Sequence, residues 1–251
     1  MATVVEHWTH TGPVHAPEDV PLDQITREEV RAAATVGDAA PLGLLGFATG
    51  TFTISAIATG FFAPSTIPYA VPVLLVFAGL AQFIAAMWAF RRGDTLGATA
   101  FGSFGAFNTT FAAYMLILHP ATIAGTATAA PIVGIWIACF SYISLMLCVA
   151  AMRRSMGLTL VLLALAGAYG FLAADVFVGG GTVLMHIAGW CGIASSILAF
   201  YCATAMVINS ENQMPVMPLG SMHPVVKGHT PSHNGATTTT TTSTTYHEPV
   251  R

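Results

Sequence analysis

Six apolar runs, each long enough to cross a lipid bilayer, are the feature that most constrains how this chain of 251 residues can fold. An α-helix needs about 20 apolar residues to span about 30 Å of hydrocarbon. Because lipid offers no partner for backbone N–H and C=O groups, a spanning run must pair them internally, as a helix does. We therefore expect an all-α, polytopic membrane protein with six transmembrane helices. The runs cover residues 42–62, 69–90, 95–118, 131–152, 157–178 and 182–208.

Composition and the two ends of the chain support this organisation. Hydrophobic residues make up 55% of the chain and charged residues only 8%, whereas globular domains carry about 25% charged residues. The net charge of −3 gives no indication of a nucleic-acid partner. Residues 1–40 are polar and contain no apolar signal segment. We expect a cytoplasmic tail over 1–40, a six-helix transporter domain over 41–209 and a disordered, Thr-rich tail over 210–251.

The positions of the basic residues predict the orientation in the membrane. They fall in the two tails and in the second–third and fourth–fifth connections, and the other three connections contain none. The positive-inside rule places such segments in the cytoplasm. We predict a multi-pass plasma-membrane protein with both termini cytoplasmic. The basic residues are Arg27, Arg31, Arg91, Arg92, Arg153, Arg154, Lys227 and Arg251.

Ionisable and amide side chains are rare inside the runs. Asp175 and His186 are the ionisable ones, and both lie near an outer end. An intramembrane ionisable group is a functional candidate by default, but hydration is available near an interface. A proton-linked role and a structural role therefore both stay open for these two residues. The amides of Gln82 and Asn108 need partners in lipid, either between helices or along a pore.

Closely spaced glycines recur along the runs. Gly46 and Gly50 have the small-xxx-small spacing that lets two helix backbones approach closely. Gly102 and Gly105 form a similar pair. The four cysteines lie in apolar runs without a CxxC pair, so we expect them to pack in the core and to bind no metal.

Three stretches resemble the acetate uptake transporter family, the succinate–acetate permeases. "APLGLLGFATG" at 40–50 is similar to the family's N-P-A-P-L-G-L signature. "GLAQFIAAMWAFRRGDTLGATAFGSFGAF" at 79–107 is similar to its junction between helices two and three, and "HIAGWCGIASSILAFYCA" at 186–203 to its last helix. The resemblance extends from about Asp38 to Glu211.

The resemblance implies a homohexamer whose protomers each hold one path for acetate and other small carboxylates, succinate among them. It implies a hydrophobic constriction contributed by three helices, to which Phe47, Phe104 and Leu165 correspond. The resemblance does not decide between an anion channel and a proton symporter. We expect no cofactor and no metal.

A carboxylate is costly to bury in hydrocarbon, yet no Lys or Arg lies within the runs. The path must therefore offer neutral donors, and weak sites of this kind suit a permeant that has to leave again. The residues that we expect along the path are Leu44, Thr51, Gln82, Asn108 and Thr109.

Two departures from the family pattern affect these expectations. Asp38 and Ala39 stand where the signature has Asn-Pro, although Asp can still cap a helix whose first turn contains Pro41. Asn108 stands where the family commonly has Trp, which exchanges a bulky ring for a small amide. That exchange leaves the permitted substrate size open.

Other functions stay open from the residues alone. The low charge also fits a channel for ammonia or water, and the Ser- and Thr-containing tails fit a membrane sensor or scaffold that is modified by a kinase. An enzyme is the least favoured class, because the sequence contains neither an HExxH nor a GxSxG motif.

Overall fold

The computed structural model describes residues 37–117 and 131–220. The predicted tail over 1–40 lies almost wholly outside these ranges, as does most of the tail over 210–251. Six long helices account for most of the described residues, which contain no β-strand. The helices are α1 (Ala40–Ala58), α2 (Pro64–Arg91), α3 (Thr95–Ile117), α4 (Pro131–Ala151), α5 (Met156–Phe177) and α6 (Val183–Asn212).

The prediction of an all-α, multi-pass membrane protein is confirmed. Five of the helices, all except α3, are long and apolar enough to cross a membrane. α3 is less apolar because it contains Asn108, Thr109 and Thr110, so its crossing of the membrane stays a prediction. Large apolar side chains cover the outside of the bundle, as a lipid-facing surface requires. Examples are Tyr69, Val76, Ile132, Val149 and Trp190.

The helix α2 is irregular along its length. It begins with a 3₁₀ turn and an α-helical segment, continues as a π-helical segment over Val73–Ala81, and ends as an α-helix from Gln82. Pro72 directly precedes the π-helical segment, and an internal proline has no N–H to donate to the preceding turn. The wider π-helical turns direct backbone carbonyls towards α1 and α3.

The glycines of α1 and α3 meet this π-helical segment. A Cβ added at Gly46 would lie 2.5 Å from the carbonyl oxygen of Phe77, and one added at Gly105 would lie 3.1 Å from that of Gly79. Since the first distance is shorter than any real contact of a Cβ, only glycine fits at Gly46. The structure thus confirms that these glycines permit close approach of helix backbones.

Consecutive helices run in opposite directions, so their connections collect at two ends of the bundle. At one end Arg92, after α2, lies 3.8 Å from Asp38, which precedes α1. We call this end the arginine end, because Arg91, Arg92, Arg153 and Arg154 all lie there. At the opposite end the rings of Phe61 and Trp190 are 5.5 Å apart.

The last helix is longer than the sequence suggested. α6 extends to Asn212, and residues 213–220 continue as an ordered segment. The Ser155 hydroxyl, in the α4–α5 connection, donates to the carbonyl of Leu219 at 2.7 Å. The described chain therefore continues past residue 210, where we expected the tail to begin, and hydrogen bonds to the bundle hold the segment after α6. Residues 221–251 lie outside the described ranges.

Candidate functional site

Two apolar cavities lie inside the bundle, one towards each end. The cavity at the arginine end has a volume of about 70 Å³ and the one at the opposite end about 130 Å³. A single water needs only about 10–15 Å³ on such a measure, so each cavity has room for a small solute. The arginine-end cavity is lined by Leu44, Phe47, Gln82 and Phe104 among others. The opposite cavity is lined by Thr51, Asn108, Leu165 and Tyr169 among others.

Phe47 and Phe104 line the arginine-end cavity at its side nearest to the opposite cavity. Both side chains are 3% exposed, and their ring centroids are 5.8 Å apart. Thr51, one turn after Phe47, and Asn108, one turn after Phe104, line the opposite cavity. Residues one turn apart share a helix face, so the two cavities follow each other along α1 and α3. The pair of rings marks the division between them.

Leu165 is the third residue expected at the constriction. It is 1% exposed and lies on α5, in the wall of the opposite cavity. The structure therefore brings Phe47 and Phe104 into direct contact and places Leu165 on the far side of the division. From that position its side chain bounds the opposite cavity next to Tyr169.

An amide pair spans the same division. The Asn108 Nδ2 atom donates to Gln82 Oε1 at 3.1 Å and to the Phe104 carbonyl at 2.9 Å. Gln82 is completely buried, and its Nε2 has no hydrogen-bond partner in the described part of the chain. Leaving a buried donor unpaired costs about 1–3 kcal/mol. The wall of the arginine-end cavity thus contains an amide N–H that is suited to an acceptor oxygen of a bound molecule.

The two threonines expected on the path differ in position. Thr51 is 9% exposed and lines the opposite cavity. Thr109 donates its hydroxyl to the Gly105 carbonyl at 3.0 Å and lies against Gly79 of α2. It lines neither of the two cavities, so the structure places it in the packing between α3 and α2.

Asp175 and His186 both lie at the opposite end and line neither cavity. Asp175 is 2% exposed, and its carboxylate accepts hydrogen bonds from the Thr182 N–H at 2.9 Å, the Gly181 N–H at 3.0 Å and the Thr182 hydroxyl. These bonds close the turn between α5 and α6. His186 is exposed and lies beside Gly60. Of the two roles left open by the sequence, the geometry favours the structural one for Asp175.

Two charged residues that sequence reasoning left out line the mouth of the arginine-end cavity. Arg154 contacts both carboxylate oxygens of Asp94, at 2.5 and 3.2 Å, and Asp94 also accepts from the Gly97 N–H at 3.0 Å. Partial burial acts to raise the pKa of Asp94. The hydrogen bonds from Arg154 and Gly97, with the charges of Arg154 and Arg92, outweigh burial and hold that pKa below its ordinary value.

An aromatic cluster behind the rings was also missed. Tyr169 of α5 lies in the wall of the opposite cavity, with its ring centroid 6.5 Å from that of Phe104 and 4.6 Å from that of Phe107. In the sequence, Tyr169 stands out only as an aromatic residue one helical turn after Leu165, and such a spacing is common in apolar helices. The cluster supports the rings at the division from the side of α5.

The bundle of apolar helices, with solute-sized cavities in series inside it, defines a multi-pass membrane transport protein. The model of the GPR1/FUN34/yaaH family matches residues 26–223, and the chain belongs to this family. The resemblance found in the sequence is thereby confirmed.

Relatives and a solved structure give the same assignment. The chain is 29% identical over 184 residues to the succinate-acetate/proton symporter SatP of Escherichia coli K12. The aligned region covers 73% of this chain and 95% of the relative. It is 30% identical over 203 residues to the glyoxylate pathway regulator of Yarrowia lipolytica, covering 76% and 71%. The structure of the bacterial acetate channel SatP matches with a TM-score of 0.66 and 27% identity, covering 73% of this chain and 99% of that one.

Proposed function

We propose that this protein conducts acetate and related small carboxylates, including succinate, across the membrane through the two cavities of each protomer. The observation that carries the proposal is the unpaired Nε2 of Gln82, which lies in the wall of the arginine-end cavity beside the Phe47 and Phe104 rings. The succinate–acetate function of the bacterial relatives supports the same substrate class.

The amide of Gln82 suits a carboxylate that has lost part of its hydration. An N–H donor to a charged oxygen contributes about 1.5–3 kcal/mol, which replaces part of the lost water contacts. A lysine or arginine at this depth would bind an anion more tightly but would also slow its departure. A neutral donor next to an apolar division therefore favours passage over retention.

The rings of Phe47 and Phe104 provide selectivity in this proposal. They exclude bulk water and hydrated ions, while the cavities on either side hold the solute before and after the division. The methyl group of acetate suits the apolar walls, which line most of both cavities. Leu165 limits the size of the solute from the opposite cavity.

The membrane arrangement forms part of the proposal. We infer six membrane crossings, with α3 as one of them, and a homohexamer located in the plasma membrane. We also infer that both termini and the arginine end lie on the cytoplasmic side. The positive-inside rule supports the orientation, since the described basic residues cluster at one end. Native mass measurement in mild detergent tests the assembly: a six-fold species is expected, and a transporting monomer would contradict it.

The cavity walls favour a channel over a symporter. Of the described residues that line the two cavities, the acidic ones are Asp38 and Asp94, and both lie at the arginine-end mouth rather than at the division. A proton relay at mid-membrane commonly uses Asp, Glu or His. We therefore expect the rate of acetate anion passage to follow the acetate gradient without a required proton gradient.

The test is uptake of labelled acetate into proteoliposomes of the purified protein, with and without a proton gradient, and with empty liposomes as the control. Saturable acetate uptake that succinate inhibits supports the proposal. Ammonium-derived alkalinisation without acetate uptake would instead assign an ammonia channel. Absence of transport of every solute would favour a sensor or scaffold.

A further inference from the structure

We propose that Arg154 is the residue that admits carboxylate anions to the arginine-end cavity, exchanging its ion pair with Asp94 for one with the entering solute. This inference rests on the proposed carboxylate transport and assigns its entry step to a particular side chain. It extends the path beyond the apolar rings and the amide pair to a charged site at the mouth.

The mouth contains one cation that faces the cavity. Among the described residues that line this cavity, Arg154 is the only basic one, and it is accompanied by Asp38 and Asp94. The rest of the described wall consists mainly of apolar side chains. A carboxylate that arrives from water therefore meets Arg154 before it meets Gln82.

The two partners of the ion pair differ in exposure and in attachment. The Asp94 side chain is 18% exposed, whereas that of Arg154 is 49% exposed. Asp94 is also held by the Gly97 N–H in the first turn of α3. The guanidinium is therefore the partner that can swing towards water, while the carboxylate stays fixed at the helix start.

The backbone that carries Arg154 is fixed even though its side chain is half in water. Its own N–H donates to the Ala151 carbonyl at 2.8 Å. The next residue, Ser155, donates its hydroxyl to Leu219, which anchors the connection to the segment after α6. Movement is thus confined to the flexible arginine side chain, which keeps the exchange local.

The charges at the mouth explain why an exchange is needed. Asp38 lies 3.8 Å from Arg92, and Asp94 is paired with Arg154, so each acid faces a cation. Without Arg154, Asp94 would present an uncompensated negative charge to an entering anion. With Arg154 but without the negative charge of Asp94, the guanidinium would be free to hold a carboxylate through its planar fork.

These charges predict effects of opposite sign for the two partners. Arg154→Gln should reduce the initial rate of acetate uptake at low salt, whereas Asp94→Asn should lower the acetate concentration at half-maximal rate. Both changes should be about 2- to 5-fold, because a half-exposed ion pair contributes only a small interaction free energy. Asn still caps a helix start, so Asp94→Asn should leave α3 in place.

The matched control is Arg153→Gln. Arg153 is the neighbouring arginine in the same connection, is exposed, and does not line the cavity. Its replacement should leave acetate uptake unchanged. The difference in acetate uptake rate between wild type and Arg154→Gln should shrink at about 0.5–1 M salt, because salt then screens charges beyond a few Å.

The experiment measures labelled acetate uptake and efflux in proteoliposomes at equal protein content for wild type, Arg154→Gln, Arg154→Lys, Asp94→Asn and Arg153→Gln. Arg154→Lys keeps the charge but lacks the planar fork, so its rate should lie between those of the wild type and Arg154→Gln. This variant keeps the inference testable if Arg154→Gln does not fold. Support requires opposite effects at Arg154 and Asp94.

Four outcomes overturn the inference. Equal losses in Arg154→Gln and Asp94→Asn would assign the pair to structure alone. An effect of Arg153→Gln as large as that of Arg154→Gln would show only a general surface field. Wild-type protein that transports no carboxylate would overturn the proposed function and this inference with it, whereas transport by wild type with an unchanged Asp94→Asn would overturn this inference alone.

Discussion

Asn108 donates a hydrogen bond to Gln82 across the contact between α3 and α2, at 3.1 Å, and leaves the Nε2 atom of Gln82 without a partner in the part of the chain that the structure describes. Because Asn108 faces the opposite cavity and Gln82 the arginine-end cavity, the pair connects the two sides of the aromatic division. This arrangement fixes the orientation of the Gln82 amide, with its oxygen used and its N–H₂ available.

Replacing Gln82 with Leu should therefore impair transport more than folding. The variant removes the free donor, and Asn108 retains its bond to the Phe104 carbonyl. A lost hydrogen bond to a charged oxygen corresponds to about 1.5–3 kcal/mol, so acetate uptake should fall roughly 10- to 100-fold. The measurement is initial uptake in proteoliposomes at equal protein content.

Thr109→Val is the matched control for Gln82→Leu. Thr109 is another polar residue of the same helix contact, but it lines neither cavity and donates to the Gly105 carbonyl of its own helix. Uptake should stay near that of the wild type. If Thr109→Val were as damaging as Gln82→Leu, packing between α2 and α3 rather than the free donor would explain both losses.

The sequence was enough to predict the helices, because apolar runs of about 20 residues have few alternatives in lipid. It also predicted that Phe47, Gln82, Phe104 and Asn108 lie along one path, through the family resemblance and the need of amides for partners, and the structure brings these four residues into contact. It could not place Thr109, since a threonine that bonds to its own helix and one that lines a pore look alike in sequence.

The Asp94–Arg154 pair shows a second limit. The two residues are 60 positions apart, and each lies in a short polar connection where charged residues are ordinary. Nothing in local spacing indicates that the two connections meet. The ordered segment after α6 was missed for a related reason, because its hydrogen bonds to the α4–α5 connection depend on tertiary contacts and not on its own composition.

Gly46→Ala should destabilise the bundle, whereas Gly102→Ala should not. A Cβ at Gly46 would lie 2.5 Å from the Phe77 carbonyl oxygen, which belongs to the backbone and cannot rotate away. At Gly102 the nearest atom, the Ala86 Cβ, is 3.8 Å away. Alanine there should stabilise the helix by up to about 0.5–1 kcal/mol. Thermal unfolding in detergent distinguishes the two, and equal effects would contradict the close contact between α1 and α2.

The Asp94–Arg154 pair should stabilise the protein at neutral pH and stop doing so in acid. The pKa of Asp94 lies below its ordinary value of 3.8, so the folded state favours the charged carboxylate. The stability that the ion pair contributes is fully present above the pKa of Asp94 in the unfolded chain, near 3.8. It is lost as the pH falls through the lower pKa that Asp94 has in the folded protein. The Tm of the wild type should therefore exceed that of Asp94→Asn by a constant amount from pH 7 to about 4, with the gap closing below that. A gap that closes between pH 7 and 5 would show that another group is responsible.

Cysteine labelling should place the arginine end in the cytoplasm. In a variant without the four native cysteines, Phe62→Cys at the opposite end should react with an impermeant thiol reagent added outside cells, and Arg153→Cys should react only after permeabilisation. Both positions are exposed, so access to the reagent and not burial decides the result. The reverse pattern would invert the orientation, and reaction of both positions from outside would contradict an odd number of crossings between them.

Truncation of the rings should change which solutes pass. If Phe47 and Phe104 form the division between the cavities, Phe47→Ala or Phe104→Ala should join the two spaces and raise the uptake of succinate and lactate relative to acetate. Truncation of an ordinary core phenylalanine costs about 3–5 kcal/mol, which would show as misassembly without a change in selectivity. The measurement is the ratio of initial rates for the three solutes, compared at equal protein content.

Phe140→Ala is the control for the rings. Phe140 contacts Phe107 at a centroid distance of 4.8 Å but does not line either cavity. Its truncation should lower stability and leave the ratio of rates unchanged. Asn108→Trp changes the same region in the other direction, since a bulky ring beside Phe104 should favour acetate over succinate. If the ratio of initial uptake rates for the three solutes stays at the wild-type value in Phe47→Ala, Phe104→Ala and Asn108→Trp, the solute passes elsewhere in the bundle.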